Sequence, residues 1–352
     1  MKTLILGSGG VGSIIGGYLA AGGRDVTIAD GWFQHVESIR ENGLRLEAVE
    51  GDFTVDVPAI HLDELTDYDT ADVIVIASKS YDTHLMALLA REHAGPGTVI
   101  MSAQNGMNDP TVQEVLGRDR VVGCVVAFAA DLHTAGTSRR ATPLDSGSII
   151  IGDLVADGDH ARLERLLEHF EPLGGVRIAD DIWPERWGKL TLNSMSNAMA
   201  GLTASMSTNL WSQPETLDAI IALGHETASV ANRAGVDMKP VLGRIPHEVW
   251  LAADSITSSA WAKITSHMQA VGAERVGKRA NRASLLQDIQ KGRRTEIDYL
   301  NGWVHRRGGQ LGVETRTHAL IVDELHSVER GERPAALANA KAMIDSVREW
   351  YA

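Results

Sequence analysis

Leu4-Ile5-Leu6-Gly7-Ser8-Gly9-Gly10-Val11-Gly12 carries an apolar run straight into the spacing G-x-G-x-x-G, and Ser13 to Ala21 continues with helical periodicity. Strand, tight turn and helix in that order predict a dinucleotide-binding turn. Gly7 permits the bend, Gly9 lets backbone amides approach a pyrophosphate, and Gly12 lets the helix pack closely on the strand. Gly10 and Val11 complete the turn, where unpaired N–H groups and the helix dipole favour phosphate charge. Val11, Ile14, Ile15, Tyr18 and Leu19 supply the apolar helix face that separates this pattern from an ordinary glycine turn.

The next strand, Asp25 to Ala29, runs into Asp30, 18 residues beyond Gly12. An acidic residue at that place accepts hydrogen bonds from the ribose hydroxyls of an adenosine and repels a 2′-phosphate. Gly31 beside it adds no cation. The expected cofactor is therefore NAD, and Arg40 and Arg45 lie near enough in sequence to keep NADP open.

With 352 residues and 44% hydrophobic content, the chain can bury two cores. No stretch is long and apolar enough to span a bilayer, the first strand leaves no room for a leader, and Cys124 is the single cysteine, so the expected location is cytoplasmic. A net charge of -13 disfavours nucleic acid and anionic membranes as partners. Metal chemistry is not expected, because the 13 histidines form no tight ligand spacing. His84, His93, His247, His267 and His318 read as surface or packing residues, and no Gly-x-Ser-x-Gly elbow points to a serine hydrolase.

Further strands are expected within Leu46–Val57, at Ala71–Ala77, at Thr98–Ser102, at Val121–Ala127 and at Ser148–Ile151, interleaved with helices. Continuous apolar runs of this kind suit a parallel sheet covered on both faces. From about Ile182 strand-like runs give way to three-to-four spacing. The fold expected is an α/β Rossmann domain with a doubly wound, mostly parallel sheet over residues 1-180, followed by an all-α domain over 181-352 for substrate binding and dimerisation. Gly174-Gly175 and Asp180-Asp181 mark the hinge region.

Polar residues just past the carboxyl ends of strands are site candidates in such a sheet. Lys79 follows one strand in Ser78-Lys79-Ser80, and Asn105 follows the next in Gln104-Asn105-Gly106. Each has a plain alternative, an exposed loop lysine and a simple Asn-Gly turn. In the helical half, Lys189, Asn193 and Asn197 stand at i, i+4 and i+8 on one polar stripe. Asparagine is a poor helix former, so a functional stripe is expected over a solvated face or helix-to-helix bonds. A second segment places Asn281 and Ser284 one turn apart, suited to a carboxylate, with Glu296 beyond an interruption at Gly292.

These segments together resemble the ketopantoate reductase (2-dehydropantoate 2-reductase) family, within the wider 6-phosphogluconate-dehydrogenase-like group. The resemblance covers nearly the whole chain, and its most specific part is Ser284-Leu285-Leu286-Gln287-Asp288 running to Thr295-Glu296-Ile297-Asp298-Tyr299-Leu300-Asn301-Gly302. It implies Lys189 as general acid and Glu296 as its substrate-orienting partner. It further implies Asn193 and Asn197 at the substrate's hydroxyl side, Asn281 and Ser284 at its carboxylate, and Asn105 at the nicotinamide end. Two departures stand out: Gly31 occupies the place where NADPH-using members carry a basic residue, and Val241 to Arg279 is longer than the usual connection, with Trp250, Trp261 and Met268 in it. That segment has three possible uses: reshaping the pocket mouth, lengthening helices, or building a subunit contact.

The expected activity is NAD(P)H-dependent reduction of a 2-oxo acid to a 2-hydroxy acid, with ketopantoate the default substrate and a homodimer the expected assembly. An ammonium beside the carbonyl oxygen stabilises developing negative charge and delivers the proton. Two other readings stay open. One is an NAD-dependent dehydrogenase oxidising a bulkier hydroxyl substrate with Lys189 as base. The other is a non-catalytic NAD(H)-binding redox sensor, for which a proton donor has no use.

Overall fold

The computed structural model describes residues 1–155, 158–241, 244–275 and 282–352, which form two compact units, Met1–Ile182 and Trp183–Ala352. In the first unit the order is β1 (Thr3–Leu6), α1 (Gly10–Ala21), β2 (Val26–Asp30), α2 (Phe33–Asn42), β3 (Leu44–Glu47), β4 (Phe53–Val55) and β5 (Ala59–His61). Then come β6 (Ala71–Ile76), α3 (Thr83–Glu92), β7 (Ala94–Ser102), α4 (Asp109–Leu116) and β8 (Val121–Val126). The unit ends with β9 (Ala130–Thr134), β10 (Thr137–Arg140), β11 (Ile149–Asp153), α5 (His160–Phe170) and β12 (Arg177–Ile178).

Eight strands make the main sheet in the order β12-β11-β8-β7-β6-β1-β2-β5. All its pairings are parallel except β11 with β8. The chain steps outward from β1 in both directions, so the doubly wound sheet expected from the apolar runs is present, with its switch point between β1 and β6. β1 and β8 are buried along their whole lengths, as strands covered on both faces must be.

A second sheet, β4-β3-β10-β9, is an addition to the expected pattern. The segment Leu46–Val57, read as one strand region, breaks at Glu50-Gly51-Asp52, where Gly51 has φ +134°. Its two halves pair antiparallel as β3 and β4, and β5 leaves to join the main sheet beside β2. β9 and β10 form a hairpin across Gly136, whose φ of +72° suits glycine alone. Gly174-Gly175 turns the chain into β12 and so lies inside the first unit.

The second unit, among the described residues, is helical: α6 (Ile182–Thr203), α7 (Ser207–Ser212), α8 (Pro214–Arg233), α9 (His247–Leu251), α10 (Ser259–Arg275), α11 (Ser284–Gln290), α12 (Asn301–Leu311), α13 (Arg316–Glu329) and α14 (Ala340–Trp350). α8 is its axis, buried at Leu217, Ile220, Ile221, Leu223, Ala228 and Val230. The long segment after Val241 builds α9 and α10. Trp250 is fully buried against Gly224 of α8, where a Cβ would stand 2.3 Å from the indole, and Gly272 lets α10 lie against the Thr208–Ser212 backbone of α7. The segment therefore adds helical core. None of the eight tryptophans is exposed, and Trp187, Trp211, Trp250 and Trp261 are buried. No helix among the described residues is long and apolar enough to cross a membrane.

Glu226 of α8 ties this unit together. Its buried carboxylate accepts the N–H groups of Thr317 (2.9 Å) and His318 (3.0 Å) in the first turn of α13 and the hydroxyl of Tyr351 (3.1 Å). Burial raises the carboxyl from an ordinary 4.5 to about 7. A folded-state carboxyl that holds its proton more tightly than the unfolded chain contributes stability that is lost as pH rises through that window. Glu226→Gln should therefore gain on the wild type as pH rises from about 5 to 8 in urea titrations. A difference that stays flat with pH would show that the carboxyl is already ionised throughout.

Candidate functional site

In the first unit the glycine turn is built by contact. A Cβ on Gly7 (φ +96°) would stand 2.7 Å from the Ser78 backbone nitrogen, and one on Gly12 would stand 1.9 Å from the Gly7 carbonyl oxygen. Gly9 is different: it is exposed, and a Cβ there meets nothing within 4 Å. Gly7 and Gly12 are thus required by the chain's own packing, and Gly9 leaves open space over the turn. Gly10 abuts Ala130 of the second sheet at 3.2 Å from an added Cβ, and Val11 is half-buried at the start of α1.

α1 has no side-chain cap and no acidic residue in its first turn. Its first backbone bond runs from Ser13 N–H to Gly9 O at 2.9 Å, which leaves the Gly10, Val11 and Gly12 N–H groups without a backbone partner among the described residues. A diphosphate suits that set of donors. Asp30 ends β2 with both carboxylate oxygens engaged, Oδ2 accepting Ser8 N–H (2.5 Å) and Oδ1 accepting Trp32 N–H (2.8 Å). Each oxygen retains a second lone pair for a sugar hydroxyl.

The two arginines that kept a 2′-phosphate open are committed elsewhere. Arg40 pairs with Glu37 and Glu64 and donates to the Ala59 carbonyl, and Arg45 pairs with Asp52 at 2.8 Å.

Lys79 and Asn105 stand beyond β6 and β7, and a polar lattice that sequence reading missed joins their loops to the glycine turn. Gln104 donates from Nε2 to the Ser78 carbonyl (3.0 Å) and accepts the Ser102 hydroxyl (2.9 Å). Asn108 donates to the Asn105 carbonyl (2.8 Å), which also accepts the Ser80 hydroxyl (3.1 Å). Ser78 in turn packs on Gly7. Gly7, Gly12, Lys79 and Asn105 therefore gather at the carboxyl ends of β1, β6 and β7. The signal for the lattice was present in sequence as Gln104, Asn108 and three serines near strand ends.

In the second unit α6 carries the expected stripe. Asn193 is buried, while Lys189 and Asn197 are partly exposed. The other small polar residues of the helix have structural partners: Thr191 bonds back to Trp187 O, Ser196 accepts the Trp211 indole N–H, and Ser194 meets Thr227. That separates packing serines from the stripe, a distinction the sequence did not make. Gly188 lets the 239 backbone approach just before Lys189, since a Cβ there would stand 2.8 Å from Lys239 O.

Burial brings the Lys189 ammonium down from 10.5 to about 8, with no carboxylate contributing. Glu296 is buried on the far side of Gly292 (φ +61°), which breaks the chain out of α11 as expected, and it contributes no charge to Lys189. Asn197 and Ser284 are brought together, Nδ2 donating to the serine Oγ at 3.2 Å. Asn281 lies outside the described residues. The arrangement offers one weakened ammonium in line with amide and hydroxyl groups, a set suited to an oxyanion and its proton.

Residues 3–156 match the family model described as ketopantoate reductase PanE/ApbA, and residues 181–329 match its C-terminal counterpart. Curated relatives named 2-dehydropantoate 2-reductase include one from Lactococcus lactis, 25% identical over 94% of this chain and 98% of its own. Another, from Halobacterium salinarum, is 28% identical over 94% and 99%. A crystal structure of a PanE/ApbA family ketopantoate reductase from Ralstonia eutropha superposes with a TM-score of 0.74 at 26% identity, covering 94% of this chain and 99% of that one. D-mandelate dehydrogenase with NADH and anilino(oxo)acetate has the same fold, with a TM-score of 0.79 at 21% identity over 94% and 99%.

Proposed function

This chain belongs to the ketopantoate reductase family, and from that we propose that it is a nicotinamide-dependent oxidoreductase acting on CH–OH groups, reducing a 2-oxo acid to the 2-hydroxy acid, with ketopantoate to pantoate as the default pair. The observation that carries this is the α6 stripe, with Lys189, Asn193 and Asn197 on one helix face and Asn197 bonded to Ser284, where burial brings the Lys189 ammonium down to about 8.

Lys189 acts as general acid, protonating the carbonyl oxygen as it takes on negative charge. Asn193 and Asn197 orient that oxygen, Ser284 with Asn281 holds the carboxylate, and Glu296 orients the substrate. Bound in the glycine turn, a dinucleotide supplies the hydride. Gly9 leaves room for its diphosphate, the Gly10, Val11 and Gly12 amides bond it, Asp30 holds the adenosine ribose, and Lys79 and Asn105 line its path. NADH is the preferred form, because Asp30 repels a 2′-phosphate and Arg40 and Arg45 are paired away. The chain works as a homodimer in the cytoplasm.

Turnover of ketopantoate and a panel of bulkier 2-oxo acids with NADH and with NADPH tests this directly. No turnover of any 2-oxo acid would sink the assignment, and preference for a bulkier acid would move the substrate. Asp30→Ala with Gly31→Arg should shift the ratio of kcat/KM toward NADPH by roughly a hundredfold, as a repulsive charge gives way to an attractive one. An unmoved ratio would mean that the ribose is gripped elsewhere.

A further inference from the structure

Beneath the α6 stripe lies a buried polar knot, made in part by a residue of the Thr295–Gly302 motif that catalysis leaves unused. Asn301, at the start of α12, and His318, in the first turn of α13, are both fully buried. Asn301 Nδ2 lies 2.8 Å from the main-chain carbonyl of Ser194 and 3.2 Å from His318 Nδ1. His318 Nε2 lies 3.1 Å from the Leu223 carbonyl and 3.0 Å from the Thr227 hydroxyl. The Thr227 hydroxyl donates to the Leu223 carbonyl and meets Ser194 Oγ at 3.1 Å.

These contacts fix the protons of the His318 ring and the Asn301 amide. A carbonyl only accepts, so Nε2 of His318 carries the hydrogen and Nδ1 is the bare acceptor. One amide hydrogen of Asn301 then goes to Nδ1 and the other to Ser194 O. Reversing the amide would set two carbonyl oxygens against each other. The ring is neutral, and burial holds it far below its ordinary range, at about 3. The arrangement leaves Asn301 Oδ1 buried without a partner among the described residues. An apolar side chain would avoid that penalty, so Asn301 is costly as a packing residue.

Ser194 sits between Asn193 and Asn197, and its carbonyl is held by Asn301 of α12, which His318 of α13 holds in turn; α12 also meets α6 at Trp303 against Trp187, and α13 meets it at Leu325 against Gly201. We infer that Asn301 and His318 are positioning residues, a pair that fixes the rotation of α6 and thereby the aim of Lys189, Asn193 and Asn197. This rests on the reductase assignment for its kinetic consequence and on geometry alone for its structural one.

Asn301→Leu and His318→Leu should each lower kcat for 2-oxo acid reduction roughly ten- to a hundredfold, with Kd for NADH within about twofold of wild type. His318→Gln presents one acceptor and one donor and should restore most of the loss. The double variant should be little worse than either single one, as expected of two parts of one device. Two further readouts hold whether or not the chain reduces 2-oxo acids. Nitrogen NMR of the wild type should find His318 neutral and Nε2-protonated across about pH 5 to 8. Carbon NMR of reductively methylated lysines, assigned with Lys189→Arg, should show the Lys189 midpoint moving toward that of free lysine in Asn301→Leu.

A wild type inactive on every 2-oxo acid would overturn the reductase assignment, and the two spectroscopic results would then decide the positioning role. A charged or Nδ1-protonated His318, an unmoved Lys189 midpoint in folded Asn301→Leu, or kcat within about twofold of an active wild type would overturn the positioning role itself.

Discussion

Lys189→Met should lower kcat for 2-oxo acid reduction by roughly a hundredfold or more, leave NADH affinity unchanged, and raise the stability of the folded chain. The first two effects follow from removing the proton donor proposed for the substrate, which has no part in the proposed dinucleotide site. The third follows from linkage. Burial lowers the Lys189 ammonium from 10.5 to about 8, so the folded protein binds its proton less tightly than the unfolded chain does. That difference costs stability fully below about pH 8 and fades as pH rises toward the value of free lysine. Methionine fills similar volume with no charge, and at neutral pH the gain is on the order of 1–3 kcal/mol. The same proton sets the pH profile: reduction should fall above about 8 as the acid is lost, and oxidation of the hydroxy acid should rise there. Stopped-flow turnover and thermal melts on one preparation check all of this. A variant that keeps its turnover removes Lys189 from the chemistry, and one that melts lower shows that the ammonium has a structural partner.

Periodicity made the sheet legible because Leu4–Leu6, Val73–Ile76 and Val121–Val126 are buried on both faces, and burial on both faces writes continuous apolar runs. The second sheet is only half legible, for the converse reason: Leu46–Val57 reads as strand and holds β4 and the end of β3, whereas β9 and β10 give no strand signal. β9 is short and runs from buried into exposed positions, β10 alternates buried with half-buried ones, and β10 reads Thr-Ser-Arg-Arg, which no hydrophobic pattern distinguishes from a loop. Arg140 ends that strand fully buried, its guanidinium bonded to the Leu173 and Thr142 carbonyls and set over the rings of Tyr18 and Phe128. Sequence spacing cannot foresee the Leu173 carbonyl and the two rings that complete its surroundings.

At the candidate site the same division holds. Lys189, Asn193 and Asn197 share a helix face by spacing alone. The contact of Asn197 with Ser284, the grip of Asn301 on Ser194 and the lattice from Gln104 to Ser78 are long-range, and only packing reveals them. His318 reads from sequence as a surface or packing residue, and its full burial decides for packing. Its proton arrangement was not legible.

Gly9→Ala and Gly12→Ala should separate two uses of one glycine pattern. A Cβ on Gly12 would lie 1.9 Å from the Gly7 carbonyl oxygen and 3.0 Å from its carbon, both backbone atoms of a tight turn that is itself pressed on Ser78. Backbone cannot swing aside as a side chain can, so α1 must move off β1, and the expected result is a lower melting temperature together with loss of dinucleotide binding. Gly9 has an ordinary φ of -60° and meets nothing within 4 Å of an added Cβ. Alanine is free to occupy that position in the unliganded protein, and its melting temperature should match the wild type. The methyl group then occupies open space beside the turn proposed for the diphosphate, and NADH affinity should fall roughly tenfold or more by direct exclusion. Calorimetric titration of NADH beside thermal melts distinguishes the two. If Gly9→Ala binds NADH as tightly as the wild type, the diphosphate does not pass over this turn, and the cofactor assignment made from the first strand and helix fails with it.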